Sequence, residues 1–423
     1  MMGTIQITGG CRLTGEVNIN GAKNAILPLL ASSLLFENEQ LIFENIPRIR
    51  DVRVMLEVLA AMGVQTKVQD ERVSLHVPAT ADITSETDEA LVSQMRATIL
   101  IMAPMLAKKG KVKIALPGGC SIGYRPIALH TRFLEMMGAS IVLDHGMLIA
   151  EAPDGLHPVH ASLDIPSVGV TESLIMAATL TRGTTVIENA AKEPEVVDLA
   201  RFLNLCGANI SGAGTDMIEI TGVDRLIPVP YEVIPDRIEA ATYMLAVASS
   251  GGTLTIRNVI PTHLETLITK LRDIGITLDV GTDEIKITAN PPYEPTSIVD
   301  VRSAAYPGFA TDMQPLILAL LLQLPTSTFI VDTIFPSRFQ HIEELSKVGV
   351  NVTQLPDAMM LNPERALSSG KVKASDLRSA AAMVLVGISQ PIVLEIENID
   401  VLDRGYEDLI TKLNQIGAQI EYI

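Results

Sequence analysis

Six times along the chain a Leu stands four residues before a Gly, with an apolar residue directly ahead of the Gly and an apolar residue or Thr three positions past it. The copies are Leu59-Ala-Ala-Met-Gly63, Leu134-Glu-Met-Met-Gly138, Leu203-Asn-Leu-Cys-Gly207, Leu271-Arg-Asp-Ile-Gly275, Leu345-Ser-Lys-Val-Gly349 and Leu413-Asn-Gln-Ile-Gly417. Each reads as the last turn of an amphipathic helix closed by a glycine and followed at once by a strand, as over residues 418–423. The glycines recur roughly every 70 residues, which makes the chain six copies of one unit. Each unit also holds an almost uncharged apolar run: 25–35, 97–106, 173–180, 240–248, 313–320 and 379–387. A helix apolar on all sides is a buried one, so each unit gives one helix to a domain centre. A turn and a strand come next, as in Gly183–Asn189, Gly252–Asn258 and Pro391–Asn398.

Six such units at this length predict an α/β chain of two domains, three repeats each, with buried helices wrapped by mixed sheet. A Pro-punctuated stretch at Val229–Pro235 marks the midpoint. The opening strand, Gly3–Gly9, has no place in a closed three-unit set and is assigned to the C-terminal domain.

Polar residues stand at the start of every buried helix: Lys23 and Asn24, Arg96, Thr171 and Glu172, Asp236 and Arg237, Thr311 and Asp312, Asp376 and Arg378. Equivalent units would put these helix starts on one face of each domain, where free N–H groups favour an anion. Simple N-capping accounts for any single one equally well. A second row follows the strands, with apolar-Glu/Arg-Asn at Phe43–Asn45, Ile187–Asn189, Ile256–Asn258 and Ile396–Asn398, and Val331-Asp-Thr333 in a fifth unit. The second unit departs from it with Ala115-Leu-Pro-Gly-Gly-Cys-Ser-Ile-Gly-Tyr-Arg-Pro126.

Charge narrows the ligand. A net charge of −17 argues against nucleic acid or an anionic membrane as the main partner, and obliges any site for a small anion to concentrate Lys and Arg locally. The longest apolar run, Pro315–Pro325, is too short to cross a bilayer. With no charged-then-apolar leader and three cysteines, a cytoplasmic, disulfide-free protein is expected. Cys206 fills the apolar slot before a signature glycine and reads as core. Cys120, between Gly118-Gly119 and Ser121-Ile-Gly123 with Arg125 nearby, reads as a reactive residue on a lid.

At these residues the chain resembles the UDP-N-acetylglucosamine 1-carboxyvinyltransferase family. The matching motifs run from end to end: Gly21-Ala-Lys-Asn-Ala25, Met95-Arg-Ala97, Leu116-Pro-Gly-Gly-Cys-Ser-Ile-Gly123, Arg125-Pro126, Ser167-Val-Gly169, Glu188–Asp198, Pro235–Glu239, Thr311-Asp-Met-Gln314, Asp376-Leu-Arg378 and Asp403-Arg-Gly-Tyr-Glu407. The resemblance implies two inside-out α/β domains, residues 23–230 with the cysteine lid, and 1–22 with 231–423, facing a cleft that closes on substrate. It implies transfer of the enolpyruvyl group of phosphoenolpyruvate to the 3-hydroxyl of UDP-N-acetylglucosamine with release of phosphate, the first committed step of peptidoglycan synthesis. Lys23, Arg125 and Arg404 would hold the donor's phosphate and carboxylate, Cys120 would act as acid or in product release, and Asp312 would take the sugar hydroxyl proton. Asn24, Arg96, Arg125, Pro126, Ile127, Ser167, Val168, Gly169 and Ile334 would line the UDP-sugar site, with Arg338 and Arg378 as further cations. No cofactor, metal, nucleic acid or membrane insertion is implied, and the oligomeric state is left open.

Two positions depart from the family pattern. Ala128 stands where an Asp would meet the nucleotide, and Ala310 replaces the Pro ahead of Thr311-Asp312. Two rival readings remain. A shikimate-pathway enolpyruvyl transferase would carry Gly-Asn-Ala-Gly-Thr where this chain has Ser93–Ala97 and would lack the cysteine loop. A weakly active regulatory paralogue that binds UDP-sugar is suggested by Ala128 and opposed by the intact set Lys23, Cys120, Asp312 and Arg404.

Overall fold

The computed structural model describes residues 3–116, 118, 127–295, 299–336, 338–355, 358–362 and 366–423. All six signature glycines have φ between +98° and +114°, a region closed to most side chains. In each copy the N–H after the glycine returns to the carbonyl of the signature Leu at 2.9–3.2 Å, and the glycine N–H to the residue after that Leu. This is the Schellman closure, and it explains the composition of the motif. The buried Leu and the apolar residue past the glycine seal the end of the outer helices Arg50–Ala61, Ala128–Met136, Pro194–Leu205, Glu265–Asp273, Gln340–Ser346 and Leu409–Gln415.

The described residues group into two compact units, 21–234 and 3–20 with 235–423. The centre of the first unit is built from Lys23–Ser32, Val168–Thr179 and a composite segment, the 3-10 turn Arg96–Ile101 running into the α-helix Met102–Lys109. Arg237–Ser250, Gln314–Leu321 and Leu377–Ser389 pack on one another in the second unit. The composite segment departs from the single helix expected over 97–106. Pro104 has no N–H for the carbonyl of Leu100 and its ring crowds that carbonyl, so the preceding turn tightens to 3-10. Thr98 Oγ1 assists by donating to Met95 O at 2.7 Å.

Among the described residues three sheets surround each helical centre, and in five of the six a central strand pairs parallel on one side and antiparallel on the other, whereas the sheet of Lys111–Ala115, Met147–Glu151 and Ser140–Asp144 is antiparallel throughout. In the second unit Gly252–Arg257 lies between Leu13–Asn18 and Glu284–Ala289. The opening strand Thr4–Thr8 lies between Val393–Glu397 and Ile420–Tyr422. It thus supplies to the last repeat the hairpin strand that the other repeats draw from their own sequence. Among the described residues no helix is long and apolar enough to cross a membrane.

The Asn row proves to be structural. Asn45, Asn189, Asn258 and Asn398 all adopt φ of +53° to +60°, ending their central strands in the left-handed region that Asn tolerates. Their side-chain amides donate to Val233 O, Leu163 O, Ile19 O and Ala374 O at 2.7–2.8 Å. Each acceptor is the residue just past the parallel neighbour strand, so every Asn clamps two strand ends together. Thr333 does the same work by donating to Ser303 O at 2.7 Å. After Lys111–Ala115 in the second repeat, the Leu116 N–H bonds Gly146 O and no such clamp is seen among the described residues.

Candidate active site

In the second unit, helix starts bring three charges together. Asp312 precedes Gln314–Leu321, Arg378 is the second residue of Leu377–Ser389, and Arg338 follows the strand Thr328–Asp332. Arg338 Nη1 donates to Asp312 Oδ1 at 2.7 Å, and Arg378 Nη2 to Asp312 Oδ2 at 3.0 Å. Both arginine side chains are about 95% buried (5% and 4% exposed), whereas Asp312 keeps 24% exposure, so the carboxylate is the open member of the triad. Burial opposes ionisation of Asp312, but the Arg378 and Arg338 charges and their hydrogen bonds outweigh it and hold the carboxyl well below its ordinary range. Arg378, despite burial, is raised by Tyr406, Asp312 and Asp236, and its guanidinium lies 5.2 Å from the Tyr406 ring centre.

The loop that carries Arg338 is shaped by a residue that sequence reasoning missed. Asp332 is buried; its Oδ1 accepts the N–H groups of Ile334 and Phe335 at 2.9 and 2.8 Å, and its Oδ2 accepts the Thr311 hydroxyl at 2.6 Å. Thr311 Oγ1 in turn accepts from Arg338 Nη1 at 3.2 Å. Asp332 thereby locks the loop to the Asp312 turn. Its only signal in the sequence was the departure of Val331-Asp-Thr333 from the Asn row. Ile334 is exposed, and Arg404 ends the turn Ile399–Arg404 part-buried.

Capping accounts for two of the six polar helix starts. Asp236 accepts from the N–H groups of Ile238 and Glu239, and Asp376 from those of Arg378 and Ser379. A third differs from expectation: the helix begins at Val168 rather than Ser173, so Thr171 and Glu172 lie inside it and are buried. Glu172, next to Glu195 and Glu193, has its pKa raised well above normal, first by burial and then by those two charges.

In the first unit Lys23 opens its helix and pairs with the buried Asp51 at 2.7 Å, a partner not foreseen from the sequence. Asn24 is part-buried beside it. Arg96 opens the composite segment, and Ser167, Val168 and Gly169 form the part-exposed start of Val168–Thr179. His130, also unforeseen, lies near these two helix starts: its Nδ1 is 3.1 Å from Ser173 Oγ, and a Cβ on Gly169 would come within 3.1 Å of its ring. Burial, then the charge of Arg96, lowers His130 to about 4, so the ring is neutral near pH 7. Ile127 is part-buried and Ala128 exposed where the outer helix begins. Cys120, Arg125 and Pro126 lie outside the described residues. Among the described residues no group of three His, Cys, Asp or Glu is placed to hold a metal ion.

The chain is 42% identical over 422 residues to UDP-N-acetylglucosamine 1-carboxyvinyltransferase 1 of Staphylococcus epidermidis and to its counterpart in Staphylococcus aureus, with both chains covered in full. The enolpyruvyl transferase NikO of Streptomyces tendae superposes with a TM-score of 0.87 at 23% identity, over 100% of this chain and 99% of that one. EPSP synthase of Acinetobacter baumannii superposes at 0.72 and 16% identity, over the full length of both. These two show the shared fold. Residues 7–413 match the family described as EPSP synthase (3-phosphoshikimate 1-carboxyvinyltransferase). Repeat architecture, full-length relatives and family match agree: the chain belongs to the EPSP synthase family of enolpyruvyl transferases.

Proposed function

We infer that the chain transfers the enolpyruvyl group of phosphoenolpyruvate to the 3-hydroxyl of UDP-N-acetylglucosamine and releases phosphate, the first committed step of peptidoglycan synthesis in the bacterial cytoplasm. The observation that carries this is the 42% identity, end to end, to 1-carboxyvinyltransferases named for that sugar nucleotide. The shikimate reading is weaker: the EPSP synthase structures are matched at 16% identity, and Ser93–Ala97 lacks the glycine-rich segment expected of that enzyme.

In this reading Lys23, Arg125 and Arg404 hold the phosphate and carboxylate of the donor, where fixed cations offset charges that the net −17 of the chain repels. Asn24, Arg96, Arg125, Pro126, Ile127, Ser167, Val168, Gly169 and Ile334 line the UDP-sugar site. Cys120 gives a proton to the methylene carbon of the donor, and the sugar 3-oxygen bonds to the neighbouring carbon as its proton passes to Asp312. Loss of phosphate, with a proton leaving the new methyl group, then restores the double bond. The geometry of Asp312 supports its part: the carboxylate is ionised, held by Arg338 and Arg378, and is the exposed member of its triad. A placed base of this kind contributes about 100- to 10,000-fold.

Product analysis tests the reading. Incubation with both substrates is expected to give UDP-N-acetylglucosamine enolpyruvyl ether by mass and NMR, and fosfomycin is expected to add at Cys120. Absence of the ether product would refute the reaction, and an adduct on another residue would refute the assignment of Cys120.

A further inference from the structure

Tyr406 is buried, and its side chain joins two helices of the second unit to the turn that ends at Arg404. Its hydroxyl lies 2.8 Å from Thr242 Oγ1 on the helix Arg237–Ser250. Thr242 spends its one hydroxyl hydrogen on Ile238 O at 2.7 Å, so Tyr406 is the donor of the bond between them. Burial foremost raises the Tyr406 pKa, which keeps that proton in place. At its other end the ring is rooted in the turn Ile399–Arg404, where the N–H groups of Gly405 and Tyr406 donate to Leu402 O at 3.0 and 2.9 Å.

The Arg378 guanidinium lies over this ring, 5.2 Å from its centre and within the range of a cation–π contact. An edge of the same guanidinium serves Asp312: Nη2 and Nε donate to Oδ2 at 3.0 and 3.3 Å. Bonds along one edge leave a planar guanidinium free to rock about that edge, and a ring against its face removes the freedom. Glu407 ties down the Arg404 turn separately, because its Oε2 accepts from Asn20 Nδ2 at 3.0 Å. Loss of the Tyr406 ring therefore leaves Arg404 seated and releases Arg378.

We propose that Tyr406 is a positioning residue: its hydroxyl bond to Thr242 sets the ring, and the ring sets the plane of Arg378, which holds Asp312 Oδ2 in one place. For its kinetic readout the proposal rests on the reading of Asp312 as the group that receives the sugar hydroxyl proton; its geometry does not depend on that reading.

The test is a double-mutant cycle on turnover with Tyr406→Leu and Arg378→Lys, set beside Tyr406→Phe and Thr242→Val. Tyr406→Leu is expected to lower kcat about tenfold while KM for each substrate changes less than about threefold. Tyr406→Phe keeps the ring face and should recover most of the loss. Thr242→Val removes only the acceptor of the hydroxyl and should lower kcat about threefold; it takes the place of Tyr406→Leu if that variant does not fold. Because Tyr406 acts through Arg378, adding Tyr406→Leu to Arg378→Lys should cost less than about twofold more. An unchanged kcat in Tyr406→Leu, or the same loss in both backgrounds, would overturn the proposal. Proton NMR of the arginine side chains, with Arg378 assigned through Arg378→Lys, reads the geometry without turnover. It decides the proposal even if the wild type proves inactive toward UDP-N-acetylglucosamine. Separate Nη resonances of Arg378 that merge in Tyr406→Leu support it; resonances already merged in the wild type, or separate in both proteins, refute it.

Discussion

Asp312 shows how much one carboxylate owes to its neighbours. Left to burial it would tend to keep its proton; with Arg338 and Arg378 bonded to its two oxygens it is ionised. Asp312→Asn removes both the proton acceptor and the counter-charge of two buried guanidiniums. Turnover should fall by about 100-fold or more, and full turnover would remove Asp312 as base. Stability at pH 7 should fall by about 1–3 kcal/mol, read from chemical denaturation. The pH dependence has a definite sign. A carboxyl depressed below its ordinary 3.8 stabilises the fold above that pH, and the contribution disappears as pH falls through the lower folded value. The stability gap between wild type and Asp312→Asn should therefore hold from neutral pH to about 4 and close below it.

At the scale of the element, two devices repeat and each can be broken alone. Asn189 holds φ of +53° and donates to Leu163 O at 2.8 Å. Asn189→Gly keeps the backbone easy and loses only the bond, so it should cost about 0.5–1.5 kcal/mol. Asn189→Ala adds left-handed strain and should cost about 1–2 kcal/mol more. Equal losses in urea titrations of the two variants would show that the backbone conformation carries no cost. Gly207, at φ of +102°, has no heavy atom within 4 Å of the place a Cβ would take, so Gly207→Ala isolates the backbone contribution. A loss of about 1–2 kcal/mol with turnover unchanged is expected. The Gly signature was legible because its cause is local: one residue's φ and one hydrophobic contact. The Asn row looked like a line of loops because its partners lie from 24 positions away, as Ala374 for Asn398, to 239, as Ile19 for Asn258, and nothing near the Asn names them.

At the scale of the whole chain, periodicity carried the architecture. Six glycines and six apolar runs were enough to place three buried helices in each half, because helix closure and burial leave marks in short windows. The candidate site was half legible. Lys23, Arg96, Asp312 and Arg378 are named by the row of helix starts and Arg404 by the motif Asp403–Glu407, whereas Arg338 comes from the resemblance alone. Asp51, His130 and Asp332 could not be named, since each acts only by being folded against another element: Asp51 against Lys23, His130 against Gly169 and Ser173, Asp332 against Thr311. The central claim is a choice of acceptor, and phosphate release from phosphoenolpyruvate measures it most directly. Release is expected with UDP-N-acetylglucosamine and not with shikimate 3-phosphate; no release with the sugar nucleotide, or release with shikimate 3-phosphate in its place, would contradict the account.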